Sequence, residues 1–205
     1  MVHKVFTEDL SARLLTVEPS KKEILRYMQA GCDLDNAERL IEQCANECLK
    51  IIKARVCFAE VEVERVINEN DILVIGGIKI NSRDLMKSLS GCDKAIIFAA
   101  TVGLDLDRLA ARCSVVSPAK ALCVSAIGNE RVEALCDIFC DGLKERYKKI
   151  RPRFSPGYGD LSLLLQKDIF SLLDCPKNIG AFLSDSMLIT PAKSVTAIVG
   201  VESGD

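Results

Sequence analysis

The sequence predicts an α+β fold in which a largely antiparallel, twisted sheet packs against helices. Apolar residues recur at helical spacing in several long segments, and they alternate with acidic residues in at least one other. The helical and extended segments come in runs, which is typical of an α+β chain and differs from the strict alternation of strand–helix–strand units.

Two helices are predicted near the start of the chain. Ser20 and Glu23 have the spacing of a capping box, and Gly31 is suited to ending a helix, so we expect a short helix over residues 21–30. Residues 35–53 place their apolar side chains along one helical stripe, which predicts a second helix.

The middle of the chain is predicted to be a β-meander. Residues 58–67 alternate between apolar and acidic side chains, as a half-buried strand does. Two short strands are expected on either side of Gly76 and Gly77, and Ser82 is placed to cap a helix over residues 83–89.

The second half supplies one buried strand, three helices and two closing strands. The strand is expected over residues 94–101, the helices over 105–112, 118–149 and from a cap at Asp160 to 173, and the closing strands over 179–183 and 194–201. We divide the chain into an N-terminal helical segment, residues 1–54, and an α+β core, residues 55–205; a single domain over 1–205 is the alternative.

Composition excludes several classes of protein. The 27 basic and 29 acidic residues leave a formal charge of −2, which argues against a general nucleic-acid binder because phosphate neutralisation needs a basic surplus. No signal peptide or membrane-spanning run is recognisable, so we expect a cytoplasmic protein whose ten cysteines stay reduced. Without a CxxC pair, and with one histidine, these cysteines are better explained as core thiols than as metal ligands.

The candidate site is the sequence RFSPGYGD, residues 153–160, which we call the RFSPGYGD loop. Arg153 offers a rigid fork of donors matched to a carboxylate, Gly157 lets backbone approach a ligand, and Tyr158 supplies a flat face with a hydroxyl. Such a loop suits an amino acid joined to an aromatic ring. The alternative is an ordinary turn whose tyrosine packs on the core.

Two charged segments precede this loop. Glu130, Glu133, Asp137 and Asp141 recur at spacings of three and four, so they line one helical face, either as a solvated surface or with one member meeting a cation in a cleft. Residues 144–153 are strongly basic, which suits a helix C-terminus or a docking surface for an acidic partner. The one histidine is His3, near the start of the chain, so a Ser-His-Asp triad is not expected, and no phosphate-binding glycine motif is present.

Three stretches in order resemble the activation domain of cobalamin-dependent methionine synthase. They are RVEA at residues 131–134, the RxxxGY motif at 153–158, and LSDS at 183–186 followed by PAKSVT at 191–196. The resemblance covers the C-terminal two-fifths of the chain and implies an activation-domain-like fold that binds S-adenosylmethionine. It also implies that Arg153 binds the methionyl carboxylate, that Glu133 faces the ammonium, and that Tyr158 with the backbone at Pro156 and Gly157 holds the adenosine side.

The resemblance further implies a role in repair. Inactive cob(II)alamin is reduced by a flavodoxin- or ferredoxin-type carrier and methylated from S-adenosylmethionine. Because no corrinoid-binding module is recognisable in the sequence, we expect an accessory protein that acts in trans on a methionine synthase or related corrinoid protein, with no nucleic-acid or membrane partner. Two alternatives remain open: a protein that binds no ligand and docks through residues 144–153, and an independent methyltransferase.

Overall fold

The computed structural model describes residues 3–28, 34–66 and 72–202. The helices are α1 Ser11–Leu15, α2 Lys21–Met28, α3 Leu34–Leu49, α4 Arg83–Ser88, α5 Asp105–Val116, α6 Pro118–Arg146, α7 Leu165–Leu173 and α8 Cys175–Ile179. The strands are β1 Val5–Asp9, β2 Arg55–Val66, β3 Ile72–Ile75, β4 Ile78–Ile80, β5 Lys94–Thr101, β6 Lys149–Ile150, β7 Phe182–Leu183, β8 Ile189–Thr190 and β9 Ser194–Glu202.

The main sheet confirms the predicted α+β class. Its strands run in the order β4-β3-β2-β5-β9-β6, and every pair in it is antiparallel. The long strand β2 pairs along one edge with β5, and it also pairs with β1 over its first half and with β3 over its second half. The predicted meander around Gly76 and Gly77 is therefore confirmed as β2-β3-β4.

The sheet is the middle of three layers, with a hydrophobic core on each face. Strand β5 alternates between them: Ile96 and Phe98 enter the core beneath α3 and α6, whereas Ala95 and Ile97 enter the core beneath α7 and α8. Burial on both faces explains the unbroken apolar sequence of this strand, whose predicted bounds are confirmed.

We predicted a helical segment before Arg55, but this segment also contains a strand. It contains β1, which pairs antiparallel with β2 from Val5 opposite Ala59 to Asp9 opposite Arg55. Its helices pack into the same core as the sheet, since Leu14 and Ile24 belong to the cluster around Phe98. The division at residue 54 stays a prediction.

Helix α2 begins with only half of the predicted capping box. The Ser20 hydroxyl accepts a hydrogen bond from the Glu23 backbone N–H at 3.4 Å, but the Glu23 carboxylate pairs with Arg26. The Ser20 backbone N–H instead donates to Glu130 on α6, 3.1 Å away. Gly31, the expected end of this helix, lies outside the described residues.

Several predicted boundaries were wrong. Helix α6 ends at Arg146, because the chain turns extended at Tyr147 to form β6. The helix after Asp160 begins only at Leu165. Ile179 ends α8, which starts beside Pro176, so the expected strand over 179–183 is reduced to β7, paired with β8 in a separate two-stranded sheet.

The described cysteines are free thiols, and all but Cys140 are buried. Burial raises the pKa of Cys48 to about 12, so this thiol stays protonated as an apolar core group does. Within the described part of the chain, no His, Cys, Asp and Glu side chains cluster as metal ligands, and no helix is long and apolar enough to cross a bilayer.

Candidate functional site

The RFSPGYGD loop is anchored at its start to the sheet. The backbone N–H of Phe154 donates to Ile198 of β9 at 2.8 Å, and the Ile198 N–H donates back to Phe154 at 2.9 Å. The Tyr158 N–H then donates to the Ser155 carbonyl at 3.2 Å, which closes a four-residue turn. Gly157 has φ of +92°, and a type II turn requires a positive φ after its proline.

Asp160 anchors the other end of the loop, in a way that corrects our prediction. Its carboxylate accepts hydrogen bonds from the backbone N–H groups of Arg83, at 2.8 Å, and Asp84, at 3.2 Å, and from the Ser82 hydroxyl. It therefore caps the start of α4, together with Ser82, and does not cap the helix that follows it in sequence. The hydrogen bond from Ser82 is the main cause that lowers the pKa of Asp160.

Arg153 lies against the acidic side chains of α6. Its guanidinium donates to Glu133 Oε2 at 2.5 Å and to Asp137 Oδ1. Partial burial opposes the charge, but the hydrogen bond that Arg153 donates to Asp137 and the nearby negative charges outweigh that effect and raise the pKa of Arg153 above its ordinary value. The two side chains that the sequence proposed as ligand contacts, Glu133 and Arg153, thus converge.

The four acids that were predicted to line one face of α6 have different environments. Glu130 is buried beside Arg131, and Asp141 pairs with Lys144 at 2.7 Å in solvent. The two in between, Glu133 and Asp137, accept hydrogen bonds from the Arg153 guanidinium.

A cavity of about 380 Å³ opens beside this ion pair. Glu133, Arg153, Pro156 and Tyr158 all line it. Tyr158 is 68% exposed, so its ring is available at the opening and does not pack in the core. Gly157 does not line the cavity, and its part is to shape the turn that places its neighbours there.

Two further polar residues line the cavity. Gln166 of α7 is 9% exposed and Thr196 of β9 is 3% exposed. Neither Gln166 Oε1 nor Thr196 Oγ1 has a hydrogen-bond partner. No local pattern in the sequence distinguishes Gln166, which was not predicted as a site residue. Thr196 was given no role either, although it ends the PAKSVT stretch.

The basic segment is largely neutralised by nearby carboxylates. Lys144 pairs with Asp141, Arg146 with Glu8, and both Lys149 and Arg151 with Glu202. These pairs leave less free positive charge than the sequence alone suggested.

The chain has the fold of a methionine synthase reactivation domain. A solved structure described as the MetH reactivation domain bound to AdoHcy superposes on it with a TM-score of 0.66 at 17% sequence identity, covering 99% of this chain and 80% of that one. The match extends across the helical segment before Arg55 as well as the sheet.

Sequence comparison points to the same domain. Residues 139–203 match the family model of the vitamin B12 dependent methionine synthase, activation domain. No curated protein matches the chain. The resemblance indicated by RFSPGY and the closing stretches is therefore confirmed by the family model over the last third of the chain, and the fold agrees over the whole chain. The RVEA stretch, residues 131–134, lies before the residues that the family model matches.

Proposed function

We propose that this protein binds S-adenosylmethionine and supports the reductive methylation of cob(II)alamin on a corrinoid-binding partner, a methionine synthase or a related corrinoid protein. The observation that carries the proposal is that Glu133, Arg153 and Tyr158 line one and the same cavity in a chain with a reactivation-domain fold. Its volume of about 380 Å³ falls in the range of small-molecule sites.

The charged part of the cavity suits the amino-acid end of the donor. A guanidinium has five N–H donors, and the ion pairs with Glu133 and Asp137 occupy two of them, so others remain for the methionyl carboxylate. Glu133 supplies a negative charge for the ammonium. The carboxylate and the ammonium of an amino acid are both bonded to its α-carbon and so lie close together. Arg153 and Glu133, a cation and an anion 2.5 Å apart, therefore form a complementary pair of partners for them.

Tyr158 and the backbone at Pro156 and Gly157 are proposed to hold the adenosine side. The tyrosine ring offers a face on which a base can stack, and the turn closed by the Tyr158–Ser155 hydrogen bond holds the ring at the cavity opening. The sulfonium of the bound donor supplies the methyl group, and the chain's own task is to hold it in a fixed orientation toward the partner's cobalt.

Calorimetric titration of S-adenosylmethionine tests the binding step. The wild type and Arg108→Ala are expected to bind, and Arg153→Ala is expected to lose binding. Arg108 is a matched control because it also pairs with a carboxylate, Asp105, but lies outside this cavity. Absence of binding to the wild type would contradict the proposal.

A spectroscopic assay tests the repair step. A corrinoid protein in the cob(II) state, a flavodoxin- or ferredoxin-type carrier and S-adenosylmethionine are mixed, and formation of methylcobalamin is followed in the visible spectrum. We expect it to require this protein and to fail with Arg153→Ala. Association with the partner that weakens with salt and in Arg153→Ala, with ligand behaviour unaltered, would favour the alternative, a docking protein that acts through residues 144–153.

A further inference from the structure

Two buried polar atoms at the cavity wall lack hydrogen-bond partners. Gln166 Oε1 and Thr196 Oγ1 are the atoms concerned, and both residues are more than nine-tenths buried. Nearly all buried polar groups in folded proteins are paired, so an unpaired one marks a place where a ligand or a water completes the bonding. Here two such atoms belong to residues that line the same cavity.

The two residues come from rigid parts of the fold. Thr196 lies within β9, opposite Ala99 of β5, and Gln166 lies in the first turn of α7, where its backbone N–H donates to Leu163 at 3.1 Å. The charged residues of the cavity come from α6 and the RFSPGYGD loop. The cavity is therefore lined by charged residues from one pair of elements and by neutral polar residues from another pair, β9 and α7.

We propose that Gln166 and Thr196 are specificity-determining residues that hydrogen-bond the neutral, hydroxyl- and amine-bearing nucleoside half of the ligand. This inference rests on the proposed function. An amide and a hydroxyl match neutral donors and acceptors, whereas the carboxylate and ammonium of the amino-acid half gain more from charged partners. The two kinds of polar residue that line the cavity, charged and neutral, thus match the two halves of the ligand.

Both atoms are shielded from solvent in the structure, so each must turn toward the cavity to meet a ligand there. The terminal torsion of a glutamine is broad, so the Gln166 amide turns easily, and the Thr196 hydroxyl turns by rotation about χ1. Hydrogen bonds to a ligand would stabilise these rotated side-chain positions.

Near-isosteric apolar substitutions test the proposal. Gln166→Met and Thr196→Val are titrated with S-adenosylmethionine, and each is expected to lower affinity about tenfold, the effect of one lost hydrogen bond. Gln43→Met and Thr7→Val make the same exchanges at exposed positions outside the cavity and are expected to change nothing.

Displacement experiments assign the contact to one half of the ligand. Bound S-adenosylmethionine is displaced by adenosine or by methionine. After correction for the weaker binding of S-adenosylmethionine itself, we expect the dissociation constant of adenosine to rise about tenfold in Gln166→Met and in Thr196→Val, and that of methionine to stay unchanged. The opposite pattern would overturn the assignment to the nucleoside.

Thermal unfolding separates a ligand contact from a structural role. Without ligand, both variants are expected to melt at the same or a higher temperature, because each removes an unpaired buried polar atom. Unchanged affinity in the two variants, with or without a lower melting temperature, would overturn the inference and leave the proposed function intact. Failure of the wild type to bind would overturn both.

Discussion

The carboxylate of Asp160 accepts a hydrogen bond from the backbone N–H of Arg83, at 2.8 Å across 77 positions of sequence. The last residue of the RFSPGYGD loop is thereby a helix cap for a distant element. Because the first end of the loop is bonded to β9, the loop is held at both ends, and the turn that carries Tyr158 has little freedom to move.

Asp160→Ala is expected to weaken S-adenosylmethionine binding although Asp160 does not line the cavity. The loop loses its second anchor, so part of the binding free energy is spent on ordering it. Calorimetry measures the effect, and Asp168→Ala, an exposed change on α7, is the control. Equal affinities in the two variants would show that the loop holds its shape without the cap.

The Asp160 cap also predicts a pH dependence. Its pKa is lowered in the folded state, chiefly by the Ser82 hydrogen bond, so the stabilisation is complete above about pH 5 and is lost as pH falls through the lowered pKa. The difference in unfolding free energy between wild type and Asp160→Ala is expected to shrink in acid. Chemical denaturation at a series of pH values checks this, and a pH-independent difference would contradict it.

The two acids that hold Arg153 are expected to differ in their effect on binding. Glu133→Gln removes an anion that lines the cavity and should lower affinity about 10- to 100-fold, as the loss of a charge-assisted hydrogen bond does. Asp137 is 68% exposed and outside this cavity, so Asp137→Asn should change affinity by less than about threefold. Titration of both variants tests the ranking, which equal losses would refute.

Gly157→Ala is expected to reduce both stability and ligand affinity. At φ of +92° an alanine is strained by about 1–2 kcal/mol, while its Cβ would meet Leu163 at a tolerable 3.4 Å, so the cost is mainly conformational. Gly142→Ala is the matched control, because Gly142 lies within α6 without a positive φ, and alanine there should be neutral or stabilising. Denaturant unfolding of both variants measures the contrast.

The buried pair of Glu130 and Arg131 is expected to dominate the stability of the N-terminal segment. Arg131 is fully buried, contacts both Glu130 oxygens, and donates to the Val17 carbonyl at 2.6 Å. Glu130→Ala leaves that charge without its partner and should cost about 3–5 kcal/mol.

Glu42→Ala is the control for Glu130→Ala. Glu42 forms an exposed pair with Lys21, and little stability should be lost on removing it. Urea unfolding gives both values, and similar losses in the two variants would contradict the special role of the buried pair.

The predictions that succeeded rest on local chemistry. Strand β5 was predicted with its correct bounds because a run buried on both faces has few competing structures, and Ser82 was recognised as the cap of α4. Strand β1 was not predicted because its five residues have no distinctive pattern of apolar and polar side chains. They form a strand through pairing with β2.

By itself, the sequence determined the α+β class, the β2-β3-β4 meander and the composition of the RFSPGYGD loop, because alternation, capping residues and the Pro-Gly pair act over a few positions. Only the tertiary structure decided that Asp160 caps α4, that Glu133 and Arg153 share a cavity, and that Gln166 lines it. These relationships join side chains far apart in the chain, and partners of that kind are set by the packing of whole elements.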